Sequence, residues 1–197
     1  GVTIADGAAS FEGGMLTASS AGSDLLRDVL VSADGFTVEL WLESDNVLLT
    51  GPARIVTLAV DWSRRCFTVA HARQYILARL TTTATNDNGM MLTGSGVREL
   101  HETPIFPTGA PTHVVLVWDG PAADSYLYVE GERVSVEEHR VEGVPARLDW
   151  VSTGDIFALG DELDGSRAWD GTIHSLAIFG RVLTETEVAE RRALGPL

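Results

Sequence analysis

Two carboxylates in one predicted strand are the first residues to test for chemistry. The run Phe36–Glu43 alternates apolar and polar residues, which places Glu39 and Glu43 on the same face of a strand. Retaining glycosidases use two carboxylates about 5–5.5 Å apart, whereas residues four apart on a strand are separated by roughly 13 Å. Trp41 stands between the two acids, so this strand lacks the closely spaced pair that such catalysis needs.

A second group of acids lies in a loop near the C-terminal end. Asp161, Glu162 and Asp164 supply three carboxylates, and Ca²⁺ prefers six to eight oxygen ligands from carboxylates and loop carbonyls. The three residues are therefore candidate calcium ligands, although their spacing is not that of an EF-hand loop. Loop carboxylates are more often solvated or paired with a cation.

An ion pair is the alternative for the same loop. Asp164 and Gly165 favour a tight turn, which would bring Glu162 and Arg167 face to face across the loop. Trp169 lies two residues beyond Arg167 and projects to the same side of an extended chain. We therefore predict structural roles for Glu162, Arg167 and Trp169, with the guanidinium bridging the carboxylate and packing near the indole.

Aromatic and polar residues near predicted strand ends favour a carbohydrate-binding groove, because sugar rings stack on exposed aromatic rings. The aromatic candidates are Trp62, Tyr75, Tyr126, Tyr128 and Trp150. Together with polar neighbours, they predict a ligand-binding set of Asp61, Trp62, His71, Arg73, Tyr75, Asn86, Asp87 and Asn88. Ordinary packing is the competing interpretation of each aromatic residue.

Other catalytic patterns are missing from the sequence. The five histidines lack the close spacing of a zinc motif such as H-E-x-x-H, and no G-x-S-x-G nucleophile elbow or phosphate-binding glycine loop occurs. Cys66 is the only cysteine, which excludes an internal disulfide. Its neighbours Phe67 and Val69 predict a buried, unreactive thiol.

The charge balance narrows the range of partners. The 197 residues carry a net charge of −14, and all 14 basic residues are arginine. Such a surface repels nucleic acids and anionic membranes and is compatible with neutral sugars or cations. No apolar run is long enough to span a bilayer. The first residues show no signal-peptide pattern, so composition leaves the compartment open.

Short strands separated by turn residues predict a single all-β sandwich domain over residues 1–197. The final strand breaks the period of two, which indicates a β-bulge near His174 and Ser175. Thr184 and Glu187 have capping-box spacing, which predicts a helix through Arg192. The other predicted elements are strands at Val2–Ala5, Met15–Ala18, Arg54–Asp61, Cys66–His71, Gln74–Thr81, Val97–Leu100, His113–Asp119, Ser125–Glu130, Arg133–Val141, Asp155–Gly160 and Thr172–Phe179. Ser23–Val31 has the spacing of a helical turn, and an irregular segment is the alternative there.

The last fifth of the chain carries a long, gapped pattern. It consists of Leu159, Gly160, Glu162, Arg167, Trp169, Gly171, Ile173, Ala177, Ile178, Arg181, Leu183 and Thr184–Val188. This pattern resembles the C-terminal signature of LamG-like jellyroll domains, which belong to the concanavalin A-like lectin/glucanase superfamily. Phe36–Trp41 is similar to a noncatalytic strand of the same family. Arg54–Leu58 and Arg79–Thr82 look like its bacterial branch.

The resemblance implies a concanavalin A-like jellyroll of two antiparallel sheets with a short C-terminal helix. It further implies a noncatalytic binding or adhesion module of a larger exported or surface protein, located outside the cell or in the envelope. Carbohydrate is the leading ligand class, and a surface protein is the alternative partner. The rival class is a glycoside hydrolase or polysaccharide lyase, which two carboxylates about 5–9.5 Å apart on the concave sheet would support.

Overall fold

The computed structural model describes residues 1–33, 35–46, 51–72, 75–83, 87–88, 90–91, 110–122, 124–134, 147–148, 150 and 154–196. In this part of the chain, two antiparallel sheets pack face to face around one core. The larger sheet contains, in spatial order, β1 (Val2–Ala5), β2 (Ala8–Glu12), β13 (Asp170–Phe179), β4 (Gly35–Ser44), β9 (Thr112–Asp119), β10 (Asp124–Val129) and β11 (Glu132–Val134). The smaller sheet contains β3 (Leu16–Thr17), β12 (Ile156–Leu159), β5 (Ala53–Ala59), β6 (Arg65–Ala72), β7 (Tyr75–Leu80) and β8 (Met90–Met91). The jellyroll of two antiparallel sheets expected from the sequence is confirmed.

The alternation of strand β4 explains why the two sheets face each other. Phe36, Val38, Leu40 and Leu42 all point into the core and are almost without solvent exposure. The Phe36 ring lies 5.7 Å from the ring of Phe67 on the smaller sheet. Burying each such side chain contributes about 1.5–3 kcal/mol, so the apolar phase of the strand fixes which face turns inward.

Helix α2, Glu185–Leu194, covers the outer face of the larger sheet. It begins after Thr184, whose hydroxyl accepts the Glu187 N–H while the Glu187 carboxylate accepts the Thr184 N–H. The predicted capping box is therefore confirmed. Val188 packs against Val115 and Val117 of β9 and anchors the helix.

Helix α1, Ser20–Ser32, connects the first strands to β4 and begins three residues before the predicted Ser23–Val31. Its earlier start follows from Ser19, whose side chain caps the first turn at 3.2 Å. The Ser23 hydroxyl accepts the Phe157 N–H at 3.0 Å, which fixes the helix to β12. Neither helix in the described part of the chain is long and apolar enough to cross a membrane.

Most local predictions agree with the structure. The β-bulge is confirmed, because the register between β13 and β4 shifts between Ile173 and Ser175. Strand β2 was missed, since its run has Phe11 as the one large apolar residue. Of the predicted strand Arg133–Val141, the structure describes only the first two residues, which belong to β11. The predicted strand Val97–Leu100 lies outside the described residues.

Candidate functional site

Three arginines come together on the outer face of the smaller sheet. Arg54 lies on β5, Arg65 begins β6, and Arg79 lies on β7. Strand β6 presents Thr68 and Ala70 on this face, and they lie opposite Arg79 and Arg54 respectively. Arg54 and Arg79 therefore flank β6 on opposite sides, at positions where the side chains of β6 itself are small.

Glu162 supplies a buried carboxylate to this face. Arg54 Nε donates to Glu162 Oε2 at 2.8 Å, and Arg65 Nη2 lies 3.9 Å from the same oxygen. Both Glu162 and Arg65 are buried. The other carboxylate oxygen, Oε1, and Arg65 Nε have no hydrogen-bond partner among the described residues. One carboxylate thus lies within ion-pair distance of two guanidinium groups.

Burial and, secondly, the repulsion between neighbouring guanidinium groups lower the pKa values of two of these arginines. The pKa of Arg65 falls to about 10, chiefly because burial removes its solvation and secondly because Arg54 repels its charge. The pKa of Arg79 is lowered by burial and then by Arg54, with Arg167 as a further repelling charge. Arg65 and Arg79 still carry their charge at neutral pH. Among the described residues, three guanidinium groups therefore cluster around Glu162, within a chain of net charge −14.

The loop from Asp161 to Arg167 is attached through the main chain. Asp161 Oδ1 accepts the N–H groups of Glu162 and Arg167 at 2.7 and 2.8 Å. The Arg167 carbonyl accepts the Arg54 N–H at 2.8 Å. The predicted ion pair between Glu162 and Arg167 is corrected by the structure, because Glu162 pairs with Arg54 and the Arg167 side chain is exposed. The cause is the pairing of β12 with β5, which brings Glu162 beside the start of β5.

The predicted calcium ligands are engaged with separate partners. Asp161 accepts backbone N–H groups, Glu162 pairs with Arg54, and Asp164 Oδ1 accepts the Ser166 N–H at 3.0 Å in the exposed turn. Within the described ranges, no three His, Cys, Asp or Glu side chains converge as a metal site requires. Asp161, Glu162 and Asp164 are thus not brought together as the calcium-binding set that the sequence suggested.

An exposed tryptophan stands at the turn between β5 and β6. Trp62 is 64% exposed. Asp61 shapes the turn, since its Oδ1 accepts the N–H groups of Ser63 and Arg64 at 2.8 and 2.9 Å and its Oδ2 lies 2.7 Å from the Arg64 guanidinium. Hydrogen bonds from Ser63 and then Arg64 lower the pKa of Asp61. The Trp62 carbonyl accepts a hydrogen bond from the Arg65 guanidinium, which connects this turn to the arginine face.

Two polar residues complete this end of the sheet. The Asp87 carbonyl accepts the Arg65 N–H at 2.9 Å, and Asn88 Oδ1 accepts a hydrogen bond from Arg79 Nη1 at 2.9 Å. The structure therefore gathers four of the predicted ligand-binding residues around Arg65 and Arg79, namely Asp61, Trp62, Asp87 and Asn88. Three others, Arg73, Asn86 and the side chain of Tyr75, lie outside the described residues.

His71 is inside the sandwich, so its predicted place in a surface groove is wrong. It is fully buried, with its Nδ1 3.2 Å from the Ser44 hydroxyl and 3.3 Å from the Trp169 indole nitrogen that donates to it. The residue shares the strand phase of Phe67 and Val69, which are core residues. That parity was readable in the sequence. Trp169 is fully buried too, in agreement with its predicted structural role.

The other aromatic candidates are mostly covered. Tyr128 is buried on the outer face of the larger sheet in the apolar cluster that includes Val188 of α2, and Trp150 packs edge-on against Phe36 in the core. Tyr126 is half-buried, with the Arg133 guanidinium 3.8 Å from its ring centre. Among aromatic residues whose side chains are described, Trp62 is the one with a largely exposed ring.

The two carboxylates of β4 lie on the opposite side of the molecule, on the outer face of the larger sheet. Glu39 Oε1 is 3.0 Å from His113 Nε2, and Glu39 Oε2 accepts a hydrogen bond from the Arg191 guanidinium of α2. Burial acts to raise the pKa of Glu39, but the hydrogen bonds from His113 and Arg191 outweigh it and the net pKa is lowered. Glu43 lies 3.4 Å from His174.

Sequence reasoning alone misses Arg54, Arg65 and Arg79 as site residues. A usable signal exists, because each arginine lies in or beside one of three successive predicted strands. Consecutive hairpins place such strands side by side. The pattern does not identify Glu162, the carboxylate that pairs with Arg54, because Glu162 lies in a loop 108 residues further along the chain.

Solved structures of the same fold include enzymes and binding proteins. NanB sialidase from Streptococcus pneumoniae matches 93% of this chain and 27% of its own, with 17% identity and a TM-score of 0.63. The receptor binding domain of botulinum neurotoxin C/D mosaic serotype matches 99% of this chain and 45% of its own, with 14% identity and a TM-score of 0.65. A heptameric SAP-like pentraxin from Limulus polyphemus matches 84% of this chain and 72% of its own, with 16% identity and a TM-score of 0.57. At such identities the similarity shows the fold alone.

Sequence comparison gives the family. No curated protein sequence shows significant similarity to this chain. The family model Laminin_G_3 matches residues 18–189, a range that runs from just before helix α1 into helix α2. This match covers most of both sheets, so the chain belongs to the concanavalin A-like lectin/glucanases superfamily.

Proposed function

We propose that this chain is a noncatalytic carbohydrate-binding module of a larger exported or cell-surface protein, folded as one domain over residues 1–197. The observation that carries the proposal is Trp62, an exposed indole in the turn between β5 and β6, with Asp61 beside it in the chain and the Asp87 carbonyl bound to the N–H of nearby Arg65. An exposed ring offers apolar area to a sugar face, and its polar neighbours offer hydrogen bonds to hydroxyl groups. The fold relatives include a sialidase and a receptor binding domain.

The contacts of Glu39 and Glu43 support binding over hydrolysis. Glu39 is held by His113 and by Arg191 of the C-terminal helix, and Glu43 lies beside His174. Neither acid lies on the outer face of the smaller sheet, next to the turn that contains Trp62. That face presents arginines, threonines and the paired carboxylate of Glu162.

A glycan array probed with the wild-type chain and with Trp62→Ala tests the proposal. We expect wild-type binding to one class of glycan and at least a tenfold loss in Trp62→Ala, equivalent to about 1.4 kcal/mol. Leu25→Ala is the matched control, because Leu25 is an equally exposed apolar residue, 66%, on helix α1. EDTA should leave binding unchanged, since the candidate calcium ligands are engaged elsewhere.

Three outcomes would contradict the proposal. Glycan binding that survives Trp62→Ala would move the site away from the β5–β6 turn. A complete lack of glycan binding, with retention on a purified surface protein, would support protein recognition. Release of reducing sugar from laminarin or lichenan that disappears in Glu39→Gln would support the glycoside hydrolase alternative.

A further inference from the structure

A small pocket lies where the last turn of α2 meets the outer face of the larger sheet. A space remains there because β13 places small side chains opposite the large ones of β4. The room inside is that of roughly one water molecule, so a single small group can enter it. The walls come from Glu39 and Trp41 of β4, Ser175 and Ala177 of β13, and Arg191 and Leu194 of α2.

One wall of this pocket carries a buried donor without a partner. Trp41 is 5% exposed, and its Nε1 makes no hydrogen bond with any residue that the structure describes. The indole is held in place by the His113 ring at 4.8 Å and by the Arg192 guanidinium at 5.6 Å. An unpaired buried N–H is rare, because folding removes its hydrogen bonds to water. The indole therefore favours an acceptor that comes from a ligand.

The same wall carries an acceptor. Glu39 lies two residues before Trp41 and on the same face of β4, with about 7 Å between the two Cα atoms. Its carboxylate contacts His113 Nε2 at 3.0 Å and accepts a hydrogen bond from Arg191 Nε. Burial opposes ionisation, but these two contacts hold the pKa of Glu39 below its usual value. An ionised carboxylate offers about four lone-pair positions, so Glu39 can accept a further hydrogen bond.

The combination of donor and acceptor selects a hydroxyl group. A carbonyl or carboxylate could accept from the Trp41 indole, but it would turn its own lone pairs towards Glu39. An ammonium group could donate to Glu39, but it cannot accept from the indole. A hydroxyl group does both and is as small as the pocket requires. The Ser175 hydroxyl on the opposite wall can serve as donor or acceptor to it.

The surroundings of the pocket favour a sugar as the carrier of that hydroxyl. An extended peptide binds through its main chain at a free sheet edge, whereas β4 is paired on both sides, with β13 and with β9. At the rim, Leu194 is 75% exposed and offers apolar area to the C–H face of a ring. The charge of Glu39 is balanced by Arg191, which favours a neutral ligand.

We propose that this pocket binds one hydroxyl group of a neutral sugar. The hydroxyl donates to Glu39 and accepts from Trp41 Nε1, while the sugar ring packs on Leu194. The site lies on the outer face of the larger sheet and is separate from Trp62 in the β5–β6 turn, so it goes beyond the function proposed above. A single ring makes few contacts, and we expect a dissociation constant in the millimolar range.

NMR titration of the ¹⁵N-labelled chain tests the proposal, because each indole N–H gives its own peak. Loss of one peak in Trp41→Phe assigns Trp41, and loss of another in Trp62→Ala assigns Trp62. The probes are D-glucose, D-galactose, D-mannose and N-acetyl-D-glucosamine, with glycerol and N-acetylserine amide as other hydroxyl carriers. We expect at least one sugar to shift the Trp41 peak saturably, with an affinity about threefold or more above those of glycerol and the serine amide.

Variants then locate the contact, with the Ala177 amide peak as the reporter. Trp41→Phe should weaken sugar binding about threefold or more, because it removes the N–H and keeps an aromatic ring. Leu194→Ala should weaken it about twofold or more by removing apolar area. Leu25→Ala is the matched control, because Leu25 is 66% exposed on helix α1. Melting temperatures verify folding, and the exposed Leu194 is the position least dependent on it.

The two indole peaks separate this inference from the proposed function. A sugar that shifts the Trp62 peak alone supports the proposed function and overturns the pocket. A sugar that shifts the Trp41 peak alone supports the pocket and counts against the site at Trp62. If no sugar shifts the Trp41 peak, or if glycerol shifts it equally, the pocket takes water or any small polyol and the proposal is wrong. Tighter binding of the serine amide would assign the pocket to a protein side chain and also overturn it.

Discussion

Arg54 and Glu162 form an ion pair at 2.8 Å, and both side chains are buried. The pair joins the start of β5 to the loop that follows β12, next to the rung where Leu159 lies opposite Val56. A buried ion pair contributes little net stability compared with apolar packing, but removing one partner leaves a buried charge. We therefore expect Arg54, and not Arg167 of the loop, to be the arginine on which the stability of the fold depends.

Arg54→Gln is expected to lower the free energy of unfolding by about 3–5 kcal/mol, the usual cost of breaking one side of a buried pair. Urea denaturation followed by tryptophan fluorescence measures it. Arg64→Gln is the control, because its ion pair with Asp61 is exposed and should contribute about 0–1 kcal/mol. Arg167→Lys should change stability by less than about 0.5 kcal/mol, since the side chain is exposed. Greater loss in Arg167→Lys than in Arg54→Gln would restore the bridge between Arg167 and Glu162 that the sequence predicts.

Trp169→Ala should cost about 3–5 kcal/mol, the usual range for truncating a buried aromatic side chain. Trp169 has no solvent exposure, its ring lies 6.0 Å from Phe11, and its indole nitrogen donates to His71. Thermal unfolding measures the effect. Trp62→Ala serves as the control of equal size change and should leave stability within about 0.5 kcal/mol. Similar melting temperatures for the two variants would show that Trp169 does not pack as described.

Gly160→Ala should destabilise the protein more than Gly165→Ala. Both glycines have positive φ, +88° and +75°, which costs a residue with a Cβ about 1–2 kcal/mol. At Gly160 the Cβ would also lie 2.1 Å from Phe11 Cδ1 and 2.7 Å from the Gly14 carbonyl, whereas nothing lies within 4 Å at Gly165. The difference between the two urea midpoints therefore measures the steric part. Equal midpoints would mean that Phe11 moves aside without cost.

The fold was predictable because its signals are local. The alternation of Phe36–Glu43, the bulge at Ser175 and the capping box of Thr184 each depend on a few neighbouring residues, and each is confirmed. Strand β2 escaped prediction because one large apolar residue does not establish a period. Most of the architecture could therefore be predicted from patterns among neighbouring residues.

The site was less predictable because its contacts connect distant parts of the chain. Glu162 has a candidate partner close in sequence, Arg167, and its actual partner, Arg54, is close only in space. The pairing of β12 with β5 brings Arg54 to Glu162. His71 was misplaced for a different reason. A polar side chain favours a surface position, whereas the place of His71 in the alternation of its strand favours the core. The core position holds because Ser44 and Trp169 form hydrogen bonds with the buried ring.

The capping box of α2 should lose its contribution in acid. The pKa of Glu187 is lowered from 4.5 to about 2, first by the hydrogen bond from Arg181 and then by the Thr184 N–H. Because this carboxyl binds its proton more weakly in the folded chain than in the unfolded chain, acid favours unfolding. The stabilisation is complete above about pH 4.5 and is lost as the pH falls towards about 2. We therefore expect the urea midpoints of the wild type and Glu187→Gln to differ at about pH 6 and to converge at about pH 2.

Glu185→Gln separates the cap from the helix dipole. Glu185 occupies the same first turn of α2 but takes no part in the capping box. An exposed acidic residue at a helix N-terminus is stabilised by the helix dipole, and that gain is shared by both positions. The hydrogen bonds to Thr184 belong to Glu187 alone. The difference between the wild type and Glu187→Gln should therefore be larger at about pH 6 than the difference for Glu185→Gln. Equal pH dependence in the two variants would assign the effect to the dipole, because removal of the capping contacts would then have no measurable consequence.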